Sequence, residues 1–472
     1  MGNQCSGEPA GSAEEVRAVA GNAENRMHLR RVQPRPEPPL TLPDFPEMKE
    51  VFPASAPPSV GLFTDVEFPA SDESIGGVKG DAANPNVGRY LEEMLHLVVP
   101  GWVRPRQMIG KEAKQYKLYQ STGEPCLFKN VSPRDIQQGY LGDCWLVSSF
   151  AALAEYPDRV RALFKQHTLT EDGRYDIRLY APHEEEWKVI TIDDRLPYWQ
   201  RPGTYGTCCF AKPTKENEFW PCLLEKAVAK FVKAYYRIDG GFESIALEML
   251  TGKPAISIGI SALQDGNHQP YAILTGPNNR MCMHATVYLR QKSIDAGWSY
   301  WGQDASKFCD NKTALSDPEL WQKLKDSNKE GYSLACGSRC EYNGILQGHA
   351  YTILRMLDVP VTRQGKTQTI QLMHVRNPHM TNEWKGKWRD DDKTTWNAYP
   401  EALKATGHKV GVKDNGVFWM EWEDFKKGFA EIAICFDKQD EGKRYTDTSA
   451  KAHAEHVKVE WGLTGPQKWE GL

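Results

Sequence analysis

A thiol, an imidazole and a carboxamide are the groups of this chain whose types and order could perform chemistry together. Cys144 follows the loop segment 138–143 and begins an apolar stretch. The pattern predicts a thiol at a helix N-terminus, where partial positive charge favours the nucleophilic thiolate. A lone cysteine at such a position is usually structural. The interpretation therefore depends on His349 and Asn377, which follow later in the chain.

These three side chains fit nucleophilic catalysis on a peptide bond. An imidazole takes the thiol proton and later protonates the leaving amine, while an amide oxygen holds the ring in one orientation. Gln138 and the backbone N–H of Cys144 fit the two donors of an oxyanion hole. Taken alone, His349 also fits a core histidine and Asn377 an Asn-Pro turn, but the set in this order favours catalysis.

The elements that must position these residues can be predicted from periodicity. Apolar residues at helical spacing predict a helix from Cys144 to Glu155, which Pro157 ends. His349 and Asn377 lie in two strand-like runs separated by a polar turn. A hairpin with its midpoint at Arg363 would place them directly opposite each other, with Cβ atoms about 5 Å apart. A slip of one residue would place them on opposite faces.

Composition is ordinary for a globular protein of two or three domains. The chain has 472 residues, 40% hydrophobic and 25% charged, and its net charge of −4 indicates no nucleic-acid partner. We expect no membrane-spanning helix, since no apolar run approaches about 20 residues. Without a secretion signal, we expect the 11 cysteines to be reduced thiols in the cytoplasm.

Several motifs in one order resemble the protease core of calpains. Residues 138–145, Gln-Gly-Tyr-Leu-Gly-Asp-Cys-Trp, look like the first signature. Residues 348–351 and 376–378 look like the second and third, in the papain-like order Cys, His, Asn. The resemblance extends from about residue 61 to about residue 437. It implies an α+β fold, a papain-like two-lobed calpain protease core with a helical first lobe and an antiparallel-sheet second lobe. The closest likeness is to acylated calpain-like proteins of flagellated protists.

We therefore divide the chain into five parts. They are an acylated N-terminal segment (1–32), a Pro-rich linker (33–60), lobe 1 with Cys144 (61–252), lobe 2 with His349 and Asn377 (253–437) and a polar C-terminal tail (438–472).

The calpain resemblance also implies one calcium ion in each lobe. Asp135 and Glu225 match the family's first-lobe ligands, and Glu383 and Asp390 match those of the second lobe. Calcium prefers such oxygen ligands. The second site is weakened, because residues 415–417 do not match the family loop. Asp135 and Glu225 also fit a simpler role as helix-cap and surface hydrogen-bonding groups.

The chain departs from the calpain pattern at other positions. His379 stands where calpains have a tryptophan that shields the His–Asn hydrogen bond. Pro133 and Val417 replace an arginine and a glutamate that pair across the lobes in calpains. Residues 265–317 form an insertion without a calpain signature.

The first six residues fit lipid attachment. Gly2 fits N-myristoylation and Cys5 fits palmitoylation. Two acyl chains give stable anchoring, whereas one gives only marginal binding. The alternative is a chance match in a disordered tail.

These observations predict a calpain-like cysteine endopeptidase. We expect limited proteolysis of cytosolic or cytoskeletal proteins at the inner face of a membrane, the plasma membrane above all, under calcium control. The alternative is a non-catalytic member of the family that links membrane and cytoskeleton.

Overall fold

The structure is a computed structural model that describes residues 61–76, 101–109 and 123–438, apart from residues 183, 185, 200–205, 254, 261–316, 364 and 412–414. The predicted acylated segment, the Pro-rich linker and the tail beyond Lys438 lie outside these residues, as does nearly all of the predicted insertion.

The first lobe is mainly helical. Its strands form a β2–β3 hairpin and a small antiparallel sheet in the order β1-β4-β5. Two 3-10 turns, Pro133–Asp135 and Tyr235–Ile238, flank the central helices. The helices are α1 (Asp72–Gly76), α2 (Pro105–Met108), α3 (Cys144–Ala154), α4 (Pro157–Ala162), α5 (Trp220–Phe231) and α6 (Glu243–Thr251). The strands are β1 (Gly101–Val103), β2 (Arg174–Ala181), β3 (Glu186–Asp193), β4 (Leu196–Trp199) and β5 (Thr207–Cys208).

Helix α3 is the central element of the molecule. It begins at Cys144 as predicted and ends at Ala154, one residue before the predicted end. Every residue from Trp145 to Ala154 is buried, as expected of a helix that is apolar all round and packed on every side. The catalytic candidate therefore stands at the end of a rigid element.

The second lobe is built around a six-stranded antiparallel sheet in the order β10-β9-β8-β7-β11-β6. This sheet, together with the helical first lobe, confirms the predicted α+β fold. The strands are β6 (Ala255–Gly259), β7 (Ser333–Ser338), β8 (Ala350–Arg363), β9 (Lys366–Arg376), β10 (Val417–Glu421) and β11 (Phe429–Cys435). The helices are α7 (Asp317–Lys329), α8 (Lys393–Ala398), α9 (Pro400–Thr406) and α10 (Trp422–Gly428).

The predicted register of the β8–β9 hairpin is wrong. The tip pairs Arg363 with Lys366, so opposed residue numbers sum to 729 rather than 726. A bulge at Leu354 then changes the register, and Thr352 pairs with Arg376. Strand β8 begins at Ala350, directly after His349, and β9 ends at Arg376, directly before Asn377.

The two faces of the sheet have different partners. Ala335, Ala350 and Ala433 join the apolar cluster of the first lobe. Alternate residues, such as Cys336, Tyr351 and Ile432, form a separate core on the other face. Small side chains on the inner face let α3 approach the sheet closely, and Thr352 Oγ1 donates to the Ser148 carbonyl of α3 at 2.7 Å. Within the described ranges, no helix combines the length and apolarity needed to cross a bilayer.

Candidate active site

The loop before Cys144 is held against the first lobe by close backbone approaches. A Cβ on Gly139 would lie 1.9 Å from the Phe210 carbonyl oxygen, so only glycine fits there. Gly142 donates its N–H to Asp239 Oδ1 at 2.7 Å, and its own Cβ position lies 2.4 Å from that oxygen. These contacts fix where the thiol enters the lobe junction.

The Cys144 thiol lies at the junction of the lobes and is half-buried. Burial, together with the nearby carboxyls of Glu243 and Asp143, raises its pKa to about 12. A hydrogen bond from the backbone N–H of Ala350, the residue after His349, lowers the pKa of the thiol in part. The expected stabilisation of the thiolate by the helix N-terminus is therefore outweighed by burial, and the thiol is neutral at rest.

His349 and Asn377 are in contact. His349 Nε2 lies 2.8 Å from Asn377 Oδ1, and Asn377 Nδ2 donates to the Thr381 carbonyl at 2.8 Å. Because this amide oxygen is an acceptor, Nε2 carries the ring proton and Nδ1 keeps its lone pair. Nδ1 is thus the nitrogen that can act as a base. Burial lowers the pKa of His349 to about 4, so the ring is neutral near pH 7.

The structure brings the thiol and the imidazole to the same junction without a direct bond. In the part of the chain that the structure describes, no hydrogen bond joins Cys144 to His349. The thiol is instead hydrogen-bonded to the backbone N–H of Ala350. Such catalytic hydrogen bonds are often long in the absence of substrate and tighten when it binds.

Gln138 is buried and connects the two lobes. Its backbone N–H donates to the Pro378 carbonyl at 3.1 Å, next to Asn377 in the chain. Its side-chain Nε2 donates to the Leu141 carbonyl at 2.7 Å, and Oε1 has no partner among the described residues. One hydrogen of the amide group therefore remains for the oxygen of a bound peptide carbonyl.

Asn377 is positioned by a second-lobe loop. Its backbone N–H donates to the Gly416 carbonyl at 2.7 Å. Gly416 has φ +78°, and a Cβ there would lie 2.8 Å from the Asn377 carbonyl oxygen. Glu383 Oε1 accepts from the N–H groups of Asn415 and Gly416 at 2.8 and 2.7 Å. Glu383 thus supports Asn377 through this loop.

His379 covers the His349–Asn377 pair. Its ring lies 4.2 Å from that of His349 at a tilt of 34°, and its N–H donates to Asn377 Oδ1 at 2.9 Å. Two tryptophans that follow in the chain, Trp384 and Trp388, pack elsewhere, on Tyr342 and on Trp396. The residue at the tryptophan position, His379, therefore supplies the cover itself.

The predicted calcium ligands that the structure describes are not grouped as a metal site. The side chain of Asp135 lies outside the described part of the structure. Glu225 is buried and its Oε1 accepts from the Ala211 N–H at 2.8 Å. Asp390 is buried, and its backbone carbonyl accepts from the Gly411 N–H. Among the described residues, no three His, Cys, Asp or Glu side chains are grouped as a metal site.

A pair of buried carboxyls stands directly behind the nucleophile, which the sequence reasoning missed. Asp143 is fully buried, and the group beside its carboxyl is the carboxyl of Glu225. Burial raises the pKa of Asp143 to about 7 and that of Glu225 well above its usual range. Asp143 precedes Cys144 in the first signature, so its position, though not its partner, was visible in the sequence.

The site agrees with what comparisons with known proteins show. The model of the calpain family cysteine proteases matches residues 63–436. The calpain-type cysteine protease ADL1 of Oryza sativa subsp. japonica is 30% identical over 381 residues, and the calpain-type cysteine protease DEK1 of Zea mays is 30% identical over 384. Calpain-A of Drosophila melanogaster is 27% identical over 405 residues.

These matches cover most of this chain but only parts of the relatives. The two plant matches include 79% of this chain and 14% of each relative. The match to Calpain-A includes 83% of this chain and 39% of that protein. The similarity therefore concerns a protease core within longer proteins.

Proposed function

Because the chain belongs to the calpain family of cysteine proteases, we propose that it is an active thiol endopeptidase that makes limited cuts in cytosolic or cytoskeletal proteins. The observation that carries this proposal is the 2.8 Å contact between His349 Nε2 and Asn377 Oδ1. It leaves the Nδ1 lone pair of a neutral ring at the junction that holds the Cys144 thiol.

The reaction then follows from a neutral thiol and imidazole. His349 Nδ1 takes the proton of Cys144 as Sγ attacks the scissile carbonyl carbon. The Cys144 N–H and the Gln138 amide donate to the developing oxyanion. His349 returns the proton to the leaving amine, which yields a thioester. Water, deprotonated by the same ring, hydrolyses the thioester and restores the thiol.

The test is the Cys144→Ala variant of the purified chain. We expect loss of peptide hydrolysis and of labelling by a thiol-directed activity probe, with an unchanged melting temperature. Equal hydrolysis by the variant and the wild type would exclude Cys144 as the nucleophile.

One observation favours the alternative, a non-catalytic linker of membrane and cytoskeleton. Burial raises the pKa of the Cys144 thiol to about 12, and no hydrogen bond to His349 is present in the described part of the chain. A wild-type protein that neither reacts with the probe nor cleaves peptides would support this alternative.

Calcium control is part of the proposal. Asp143 and Glu225 are adjacent buried carboxyls whose pKa values are raised by burial, and carboxylate oxygens suit a hard cation. Asp135 and Glu225 in the first lobe, and Glu383 and Asp390 in the second, would hold the ions and so align the lobes. We expect added calcium to raise the melting temperature, less so in Glu225→Gln and Asp135→Ala. Equal shifts in all three proteins would exclude this site.

We further propose that acylation at Gly2 and Cys5 anchors the chain to the inner face of the plasma membrane, near cytoskeletal substrates. Both residues lie outside the described part, so the support is the sequence motif. Gly2→Ala should move the protein from the membrane to the soluble fraction of cells. Unchanged fractionation would exclude this anchor.

A further inference from the structure

A cavity of about 260 Å³ is lined by residues of both lobes. Arg134, in the 3-10 turn before Gln138, borders it from the first lobe, and the other lining residues belong to the second lobe. One of these is Asn415, in the loop that supports Asn377. The cavity is slightly smaller than the roughly 300–1,000 Å³ of sites for drug-sized ligands, so its volume suits a small ligand.

Cations and hydrogen-bond donors surround this cavity. Arg134 contributes a guanidinium, and Lys409, which is exposed, contributes an ammonium group. No hydrogen bond to a described residue acts on the ring of His374, so the neutral imidazole has one N–H to donate. Asn415 Oδ1 accepts from the Val417 N–H at 2.8 Å, which leaves Nδ2 as the donor end of the amide.

The two histidines of the cavity are held in place by tryptophan rings. His374 of β9 lies opposite Trp419 of β10, and their rings stack at 4.4 Å with a tilt of 8°. His408 stacks on Trp396 at 4.2 Å, and its Nε2 donates to the Asp390 backbone carbonyl at 3.1 Å. Because these rings are already ordered, a ligand need not order them when it binds.

The electrostatic environment of the cavity is positive. Burial lowers the pKa of His374 well below its usual range, and Arg134, Arg355 and His408 act in the same direction. No carboxyl group in the described part of the chain opposes them. Cations disfavour a further positive charge on a neighbouring imidazole, so this effect places them close to the ring.

Acidic groups are scarce around the cavity. Asp390 is the one carboxyl residue among the described residues that line it, and it is buried. Glu383, the other predicted calcium ligand of the second lobe, does not line the cavity and instead accepts from the N–H groups of Asn415 and Gly416. Calcium requires several oxygen ligands, including carboxylates. An anion therefore fits this lining better than a second calcium ion does.

We propose that the cavity binds a small phosphate-type anion, free or as the phosphate group of an ester, through Arg134, His374 and Lys409. The guanidinium fork matches the geometry of phosphate, and lysine binds phosphate as a point charge. This site goes beyond the proposed proteolysis, and its occupation does not depend on peptide hydrolysis. Because the three groups come from both lobes, the bound anion would stabilise the docked arrangement of the lobes.

Isothermal titration calorimetry of the full-length protein tests the site, with inorganic phosphate and with glycerol phosphate as an ester. The wild type should bind one anion per chain. Arg134→Gln and Lys409→Glu should each weaken binding by about tenfold or more, because each removes a charge-assisted contact. Phosphate binding identifies a free anion as a ligand, whereas binding of glycerol phosphate alone identifies an ester.

The variants are matched by exposure and charge. Lys404→Glu reverses an exposed charge on α9 that does not line the cavity, so it should keep the wild-type affinity. Lys409→Glu also changes an exposed side chain and should fold, so it answers the question even if Arg134→Gln does not fold.

Calcium titration of the same proteins decides between the two ions. An anion site predicts that Lys409→Glu responds to calcium as the wild type does. A stronger calcium response in Lys409→Glu, without phosphate binding to the wild type, would overturn the anion site and favour a calcium ion at Asp390. Absence of binding of either anion, or equal affinity in the wild type, Arg134→Gln and Lys409→Glu, would also overturn it. None of these measurements uses peptide hydrolysis, so the proteolysis proposal stands or fails separately.

Discussion

At the scale of single residues, the proton-accepting power of His349 is set by its neighbours. Burial is the main reason that its pKa falls to about 4, and His379 lowers it further, while the bond to Asn377 acts in the opposite direction. Burial also lowers the pKa of His379. Within the described residues, His379 is the only titratable group that acts on the pKa of His349, and it does so when its own ring is protonated.

We predict that His379→Trp moves the acid limb of the pH profile to higher pH. His349 must be neutral to act as a base, so kcat/KM falls as pH drops through its pKa. Removing a neighbouring positive charge raises that pKa, and activity is then lost at a higher pH. The measurement is kcat/KM between pH 4 and pH 8.

The control is His167→Gln, which alters a first-lobe histidine bonded to the Phe164 carbonyl and remote from the pair. Its profile should match the wild type. A His379→Trp profile that coincides with the wild type would show that His379 only covers the ring.

Residue types and order in the sequence were enough to select Cys144, His349, Asn377 and Gln138, because the chemistry restricts which groups can act together. Their protonation was not predictable. The thiolate was expected from the helix N-terminus alone, whereas the pKa of the thiol depends on burial and on Glu243, which lies 99 positions away in the chain. A residue so far away in the sequence cannot be recognised as a neighbour of the thiol before the fold is known.

At the scale of elements, a bulge decides whether the His349–Asn377 contact can form. The tip register, with numbers summing to 729, would put residues 349 and 377 on opposite faces of the hairpin. The bulge at Leu354 changes the sum to 728 and restores the shared face. The predicted contact was therefore reached through the wrong register, because a bulge leaves no periodic signal in the sequence.

The loop that supports Asn377 gives a second prediction. Glu383→Ala removes the acceptor of two N–H groups and should lower stability by about 2 kcal/mol, with a lower kcat. Glu383→Gln keeps an oxygen acceptor and should stay near wild type in calcium-free buffer. Thermal melting and peptide hydrolysis are the measurements.

Calcium titration of the same variants separates the two roles of Glu383. A glutamine that preserves stability but weakens the response to calcium would indicate that the carboxylate holds both the loop and the ion. If Glu383→Gln were as damaging as Glu383→Ala without calcium, support of the loop through Oε1 would be ruled out.

At the scale of the whole molecule, catalysis requires that the two lobes stay docked, since Cys144 and His349 come from different lobes. A buried ion pair connects the lobes away from the site. Arg159 Nη1 lies 3.0 Å from Asp437 Oδ2 and 2.8 Å from Ser333 Oγ. Asp437 also accepts from the N–H and the hydroxyl of Ser333, both at 2.8 Å. This network joins α4 to the start of β7 and the residues after β11.

We predict that Arg159→Ala destabilises the protein by about 3 kcal/mol or more, because it leaves the buried Asp437 carboxylate without its cation. The docking of the lobes should weaken as well. The fall in kcat/KM should therefore be larger than the fraction of unfolded protein explains. Denaturant unfolding and peptide hydrolysis test this. Arg363→Ala, which breaks the exposed Arg363–Glu401 pair within the second lobe, should leave the free energy of unfolding near that of the wild type.

The double variant Arg159→Ala/Asp437→Ala distinguishes a paired charge from packing. If the damage in Arg159→Ala comes from an uncompensated carboxylate, removing that carboxylate should recover part of the stability, so the two losses should not add. Additive losses would mean that each side chain acts through its own contacts. The docking of the lobes would then depend on apolar packing and on the bonds between Thr352 and Ser148 and between Arg355 and Glu155.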